Sequence, residues 1–236
     1  MIKASERVLA EGYARIVLVG NLDQIKKDAA KFQIDLTGVE VINPATYYRM
    51  DELCQYFAKR REKKGMTVEK AHEIMMNNNT FFAAGLVALG EADGVVSGAA
   101  TTSADVIRAG LQVIGPRKGN KTVSSAFILL TNTPQYGDNG ILGLGDCGVI
   151  PYPTAEQLAD IACICVERAR RTVQMLNPKV ALLSYSTKGS GSGETVDTVR
   201  QAVEILKERN VDFDFDGELQ ADAALVPEVG EHKAPG

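Results

Sequence analysis

Histidine is scarce in this chain of 236 residues: His72 and His232 stand far apart, and the four cysteines, Cys54, Cys147, Cys163 and Cys165, form no CxxC pair. No cysteine–histidine set with zinc-ligand spacing can be drawn from them. Cys163 and Cys165 fall two apart in a helical pattern and so on different faces. All four thiols are expected reduced and at least partly buried. No apolar stretch reaches the ~18 residues of a membrane span, and the opening MIKASERVLAEG lacks an apolar core of signal-peptide length. The expected location is the cytoplasm. Positive charge is short as well: 26 Lys and Arg stand against 30 Asp and Glu, for a net charge of −4. That balance argues against a nucleic-acid partner. It leaves room for a small anion, which a few local cations can hold.

What the chain does have is alternation. Short apolar runs such as RIVLVGN (15–21), VEVIN (39–43), DGVVSG (93–98), SSAFILLT (124–131), ILGLG (141–145) and KVALLSYS (179–186) alternate with helical patterns. The clearest helices are MDELCQYFAKRREKKG, TVEKAHEIMM with Thr67 as N-cap, and the segment opened by Pro153 and a Thr154/Gln157 capping box. In the helix that follows the loop 184–193, Val196, Val199, Val203 and Leu206 share one face, and VDFDFDGELQADAAL is expected to end in a further helix. Strands alternating with helices predict an α/β fold of two domains with largely parallel sheets flanked by helices. The polar segment GPRKGNK (115–121) is the expected junction, giving domains 1–121 and 122–236.

Ligands of such folds sit beyond the carboxyl ends of strands, so the strand-to-helix loops carry the search. In VSGAATTSADVIR, Ser97, Thr101, Thr102 and Ser103 precede a helix bearing Arg108. Hydroxyls, free N–H groups and a guanidinium fork suit an anion. A second reading fits equally: Thr102 or Ser103 caps the helix and Arg108 is solvated. In SYSTKGSGSGETV (184–196) the Lys precedes its Gly and the glycines alternate with serines, so the loop is neither GxxxxGK[ST] nor GxGxxG. Its Lys188 and hydroxyls favour a ligand over a plain linker. Cys147 in GDCG has no histidine near it, and a catalytic role is not expected. The basic run KRREKKG (59–65) complements a helix C-terminus. Asp214, Asp216, Glu218 and Asp222 are expected in turn and cap roles, not around a metal.

Taken together, DGVVSGAATTSADVIRAGLQ, KVALLSYSTKGSGSGETV and FDGELQADAALVPEVGEHKAPG resemble the phosphate acetyltransferase (phosphotransacetylase) family, and ARIVLVGN and YPTAEQLADIA extend the likeness along the chain. The resemblance implies an isocitrate dehydrogenase-like pair of domains with the active-site cleft between them, and a homodimer. It implies an enzyme that moves an acetyl group between acetyl phosphate and coenzyme A, with phosphate as the other product. The coenzyme A thiol attacks directly in a ternary complex, and coenzyme A is a substrate. No metal and no tightly bound cofactor take part. By the same resemblance Arg108 is the catalytic arginine, while Arg61, Ser97, Thr102, Ser103, Ser186, Thr187 and Lys188 bind acetyl phosphate or coenzyme A. Propionyl or butyryl transfer, and a non-catalytic ligand-sensing module, are the alternatives. Members of the family carry further chain at both ends, including a Ser–Arg pair and a presumed general-base Asp beyond HKAPG. This chain is therefore expected to be a truncated piece, weak in binding and impaired in turnover.

Overall fold

The computed structural model describes residues 1–117 and 119–235, so Lys118 of the expected junction lies outside the described residues. By its contacts the chain divides into two units, Met1–Gly115 and the part from Pro116 onward.

In the first unit α1 (Ile2–Ala10) leads to β1 (Val17–Val19), and Asn21 then starts α2 (Leu22–Lys31) by accepting the Gln24 N–H at 3.0 Å. β2 (Glu40–Ile42) pairs parallel to β1, with Leu18 opposite Val41. A 3-10 turn at Pro44–Thr46 precedes α3 (Met50–Arg61), which tightens into a second 3-10 turn closed by Gly65 at φ 73°. Thr67 caps α4 (Val68–Asn77) by accepting the Lys70 N–H at 3.3 Å, as its sequence predicts. Asn78 then caps α5 (Asn79–Ala88) through the Thr80 and Phe81 N–H groups. α6 (Ser103–Ala109) widens into a π turn, Gly110–Ile114, where the Gly115 N–H reaches the Gly110 carbonyl at 2.7 Å.

Leu53, Phe57, Met75, Phe82 and Val113 form the fully enclosed centre of this unit. α3 and α5 meet at Gly85, where an added Cβ would lie 2.6 Å from a Leu53 methyl. The missing side chain at that position is what lets the two helices close.

In the second unit β3 (Ala126–Leu130) and β4 (Ile141–Gly145) are followed by α7 (Ala155–Thr172), β5 (Val180–Leu183), α8 (Glu194–Glu208), β6 (Phe215–Leu219), α9 (Ala221–Leu225) and α10 (Pro227–Lys233). β5 and β6 pair parallel around α8. Val199, Ala202, Val203 and Leu206 of α8 pack with Ala159 and Ala162 of α7 and Leu182 of β5. Both halves of the expected capping box at α7 form: Gln157 N–H donates to Thr154 Oγ1 at 3.3 Å, and Thr154 N–H to Gln157 Oε1 at 3.0 Å. Thr154→Ala is expected to cost about 1 kcal/mol of stability, read from urea unfolding, because it leaves a first-turn N–H unpaired.

Three expectations need correcting. One sheet departs from the parallel pattern: among the described residues β1 with β2 and β5 with β6 pair parallel, whereas β3 with β4 is an antiparallel hairpin. The intervening residues explain it, for Gly137, Asn139 and Gly140 all take positive φ and turn the chain straight back. Nor is that hairpin covered on both faces, since Phe127 is 59% and Leu130 77% exposed. Finally, DGVVSG is not a strand; Val96 is 81% exposed, and among the described residues no backbone pairs with the segment as a strand.

Candidate functional site

Each unit presents one hydroxyl-rich loop, and each is built differently. In the first unit, Thr102 Oγ1 accepts the Asp105 N–H at 3.2 Å and so caps α6, while also donating to Asp105 Oδ2 at 2.8 Å. Arg108 Nη1 donates to the other Asp105 oxygen at 2.6 Å. Thr102, Asp105 and Arg108 are thus one exposed cluster, with the Arg108 side chain 55% open to solvent. Ser103 opens the helix and is exposed. Ser97 is half-buried, its hydroxyl 2.8 Å from that of Thr80 on α5. Arg61, at the end of α3, is half-buried, and its Nε is enclosed with no hydrogen-bond partner among the described residues.

In the second unit the loop 184–193 joins β5 to α8. Ser186 and Thr187 are enclosed, and both hydroxyls serve internal partners. Ser186 Oγ donates to Glu218 Oε1 at 2.9 Å and accepts the Gly191 N–H at 2.9 Å. Thr187 Oγ1 accepts the Gln220 N–H at 2.9 Å. Lys188, at φ 45°, turns its Nζ to the Asp216 carboxylate and the Gly217 carbonyl. The exposed face of the loop therefore carries Lys188, Ser190 and Ser192. Gly193, the N-cap of α8, supplies no side-chain cap. Tyr185 lies across the glycines and donates its hydroxyl to the Ser192 carbonyl at 2.8 Å.

Glu218 and Arg200 were not singled out as partners by the sequence. Glu218 lies on the strand β6, not in a turn or a helix cap, and it is buried. Hydrogen bonds from Arg200 hold its carboxyl down to about 2 against the opposing effect of burial, with help from the Gly189 N–H and Ser186. Two other acidic residues of the segment are also engaged: Asp216 with Lys188, and Asp222 with Lys233 at 2.7 Å, whose hydrogen bond lowers the Asp222 carboxyl. Among the described residues no group of three or more metal-ligating side chains comes together. Asp146 organises its own turn, accepting N–H groups from Ser125, Val149 and Ile150. Burial raises the Asp146 carboxyl, and Ser125 with these N–H groups more than offsets it, leaving it low. Cys147 sits on that turn, half-exposed, with its thiol 3.0 Å from the Leu144 carbonyl. Among the described residues no helix is long and apolar enough to cross a membrane.

These features define a mixed α/β protein in which a clamped Ser/Gly/Lys loop feeds the start of a long helix, an arrangement suited to anions. The family model described as Phosphate acetyl/butaryl transferase matches residues 1–236. A phosphate acetyltransferase of Treponema pallidum is 48% identical over 225 residues, covering 94% of this chain and 66% of the relative. A phosphotransacetylase structure from Streptococcus pyogenes superposes with a TM-score of 0.87 at 35% identity, covering 99% of this chain and 69% of that one. The EutD phosphotransacetylase of Staphylococcus aureus gives a TM-score of 0.82 at 37% identity, with the same coverage. The chain belongs to the phosphate acetyl/butaryl transferase family.

Proposed function

We propose that this protein transfers an acetyl group reversibly between acetyl phosphate and coenzyme A. The observation that carries the reading is the family match along all 236 residues, with a phosphate acetyltransferase as a relative at 48% identity. In the reaction the coenzyme A sulfur, having lost its proton, bonds to the acetyl carbonyl carbon. The carbon–oxygen bond to phosphate then breaks, and phosphate leaves with the electron pair and takes up the proton that the thiol gave up. The protein's part is to hold both substrates in line and to stabilise charge on the carbonyl and phosphate oxygens. Arg108 is placed for that charge once it exchanges Asp105 for substrate. Arg61, with its unpaired Nε, serves coenzyme A or phosphate, and Ser97, Thr102 and Ser103 serve the same ligands. Lys188 is the cation of the loop 184–193, while Ser186 and Thr187 act on substrate through the shape they give that loop. The same reading makes the two units domains of an isocitrate dehydrogenase-like pair and the protein a cytoplasmic homodimer.

The chain spans 66% of the Treponema relative's length, so binding is measured beside turnover. Calorimetry with acetyl phosphate and with coenzyme A is expected to give saturable binding, and mixing the two to give thioester. Arg108→Ala is expected to weaken acetyl phosphate by about 1.5 kcal/mol, roughly tenfold, from the loss of charge-assisted hydrogen bonds. Unchanged affinity in a folded variant removes Arg108 from the site. Acyl-phosphate binding without turnover, persisting when the further segments that family members carry at both ends are added, points to the ligand-sensing alternative, and the absence of both overturns the reading. Rates along a series of acyl lengths decide between acetyl and its longer homologues, since one methylene is worth only ~1–3 kcal/mol.

A further inference from the structure

Among the described residues Glu218 is the charged side chain that the fold buries, at 3% exposure. It lies outside the apolar cluster of its unit and under the loop 184–193. Its Oε1 accepts the Ser186 hydroxyl at 2.9 Å, the Gly189 N–H at 2.8 Å and Arg200 Nη2 at 2.9 Å; its Oε2 accepts Arg200 Nε at 3.0 Å. Its main-chain carbonyl takes the Lys188 N–H at 3.1 Å. Arg200 in turn reaches the Gly191 carbonyl from Nη2 at 3.3 Å. The loop from Ser186 to Gly191 is thus wrapped around one ion pair.

Stability alone is a poor reason for this arrangement, because apolar side chains of similar volume commonly serve a core as well or better. What the pair supplies is shape. The guanidinium fork fixes Glu218 in two directions, and Glu218 then fixes the backbone on both sides of Lys188. The pair also cancels a charge. A carboxylate close to a phosphate site repels the ligand unless a cation neutralises it, and Arg200, bonded to both Glu218 oxygens, supplies that cation.

We propose that Glu218 and Arg200 are a positioning pair that sets the loop 184–193, and with it Lys188, for the phosphate-bearing substrate. The proposal rests on the reading of this loop as a substrate loop.

The test uses the full 236-residue chain, with circular dichroism to establish folding and calorimetry against inorganic phosphate, acetyl phosphate and coenzyme A separately. Glu218→Gln and Arg200→Met are expected to weaken inorganic phosphate and acetyl phosphate by about tenfold while coenzyme A changes by less than about twofold. Arg200→Lys, which keeps the charge but not the fork, is expected to recover part of the loss. If Arg200→Met or Glu218→Gln fails to fold, Arg200→Lys carries the test: an intermediate loss supports the pair and an undiminished affinity overturns it. Equal weakening of all three ligands marks a general structural role and also overturns it. Wild-type phosphate binding with undiminished binding by the variants overturns the positioning role and leaves the acetyltransferase reading standing. A wild-type chain that binds neither phosphate compound overturns both.

Discussion

Phe57→Ala is expected to lower the unfolding free energy of the N-terminal unit by about 3–5 kcal/mol, the usual range for an enclosed phenylalanine. Phe57 has no exposed surface, and its ring lies 6.0 Å from that of Phe81 at a 52° tilt. It shares a cluster with Leu53, Ala71, Met75 and Phe82, all as enclosed or nearly so. Removing the ring forfeits its burial and leaves a hole bounded by helices whose spacing Gly85 has already fixed. The walls are therefore poorly able to collapse inward. Urea unfolding followed by far-ultraviolet circular dichroism reads the effect. A loss below about 1 kcal/mol would mean that α3 and α5 do shift to fill the space. Phe57→Leu, which keeps most of the volume, is expected to cost much less.

Acid is expected to remove about 2 kcal/mol from the second unit through Glu218 alone. Its carboxyl titrates at about 2 in the folded chain against an ordinary 4.5. A carboxylate lowered in this way adds stability that is complete above the ordinary value and is lost as pH falls from about 4.5 towards 2. The full shift corresponds to roughly 3 kcal/mol, reduced here because the Arg200 side chain is 39% exposed and solvent screens the pair. Asp146 and Asp222 are lowered too and add their own acid dependence. The quantity that isolates Glu218 is the difference between wild type and Glu218→Gln in melting temperature at neutral pH and near pH 3. The gap is expected to narrow on acidification. A gap that stays constant would mean that Glu218 titrates no differently folded than unfolded.

The parts of this fold that were legible in sequence are those whose causes are local. Thr67, Thr154 with Gln157, and the valines of α8 declare helices because a cap or an apolar face is written within four or so residues. The hairpin was legible too, since the Asp138–Asn139–Gly140 turn stands between β3 and β4. The segment DGVVSG has strand composition, but a strand is a pairing, and composition does not supply a partner. Among site residues, the hydroxyls of Ser186 and Thr187 were visible, yet which way they face is decided by Glu218 and Gln220, more than 30 positions on. Arg200 was hidden for the same reason, since it reads as one more polar residue on the outer face of α8. The unpaired Nε of Arg61 is a packing outcome with no signature in KRREKKG.

The distance along the chain between Ser186 and Glu218, 32 residues, also sets an order of events. α8 has its cohesion in its own turns, whereas the loop ahead of it has no form until β6 has come round beside β5. On a chain made from its N-terminus, Lys188 leaves the ribosome long before the carboxylate that shapes its surroundings. The turn at Lys188 is therefore completed only once the chain has run on through β6.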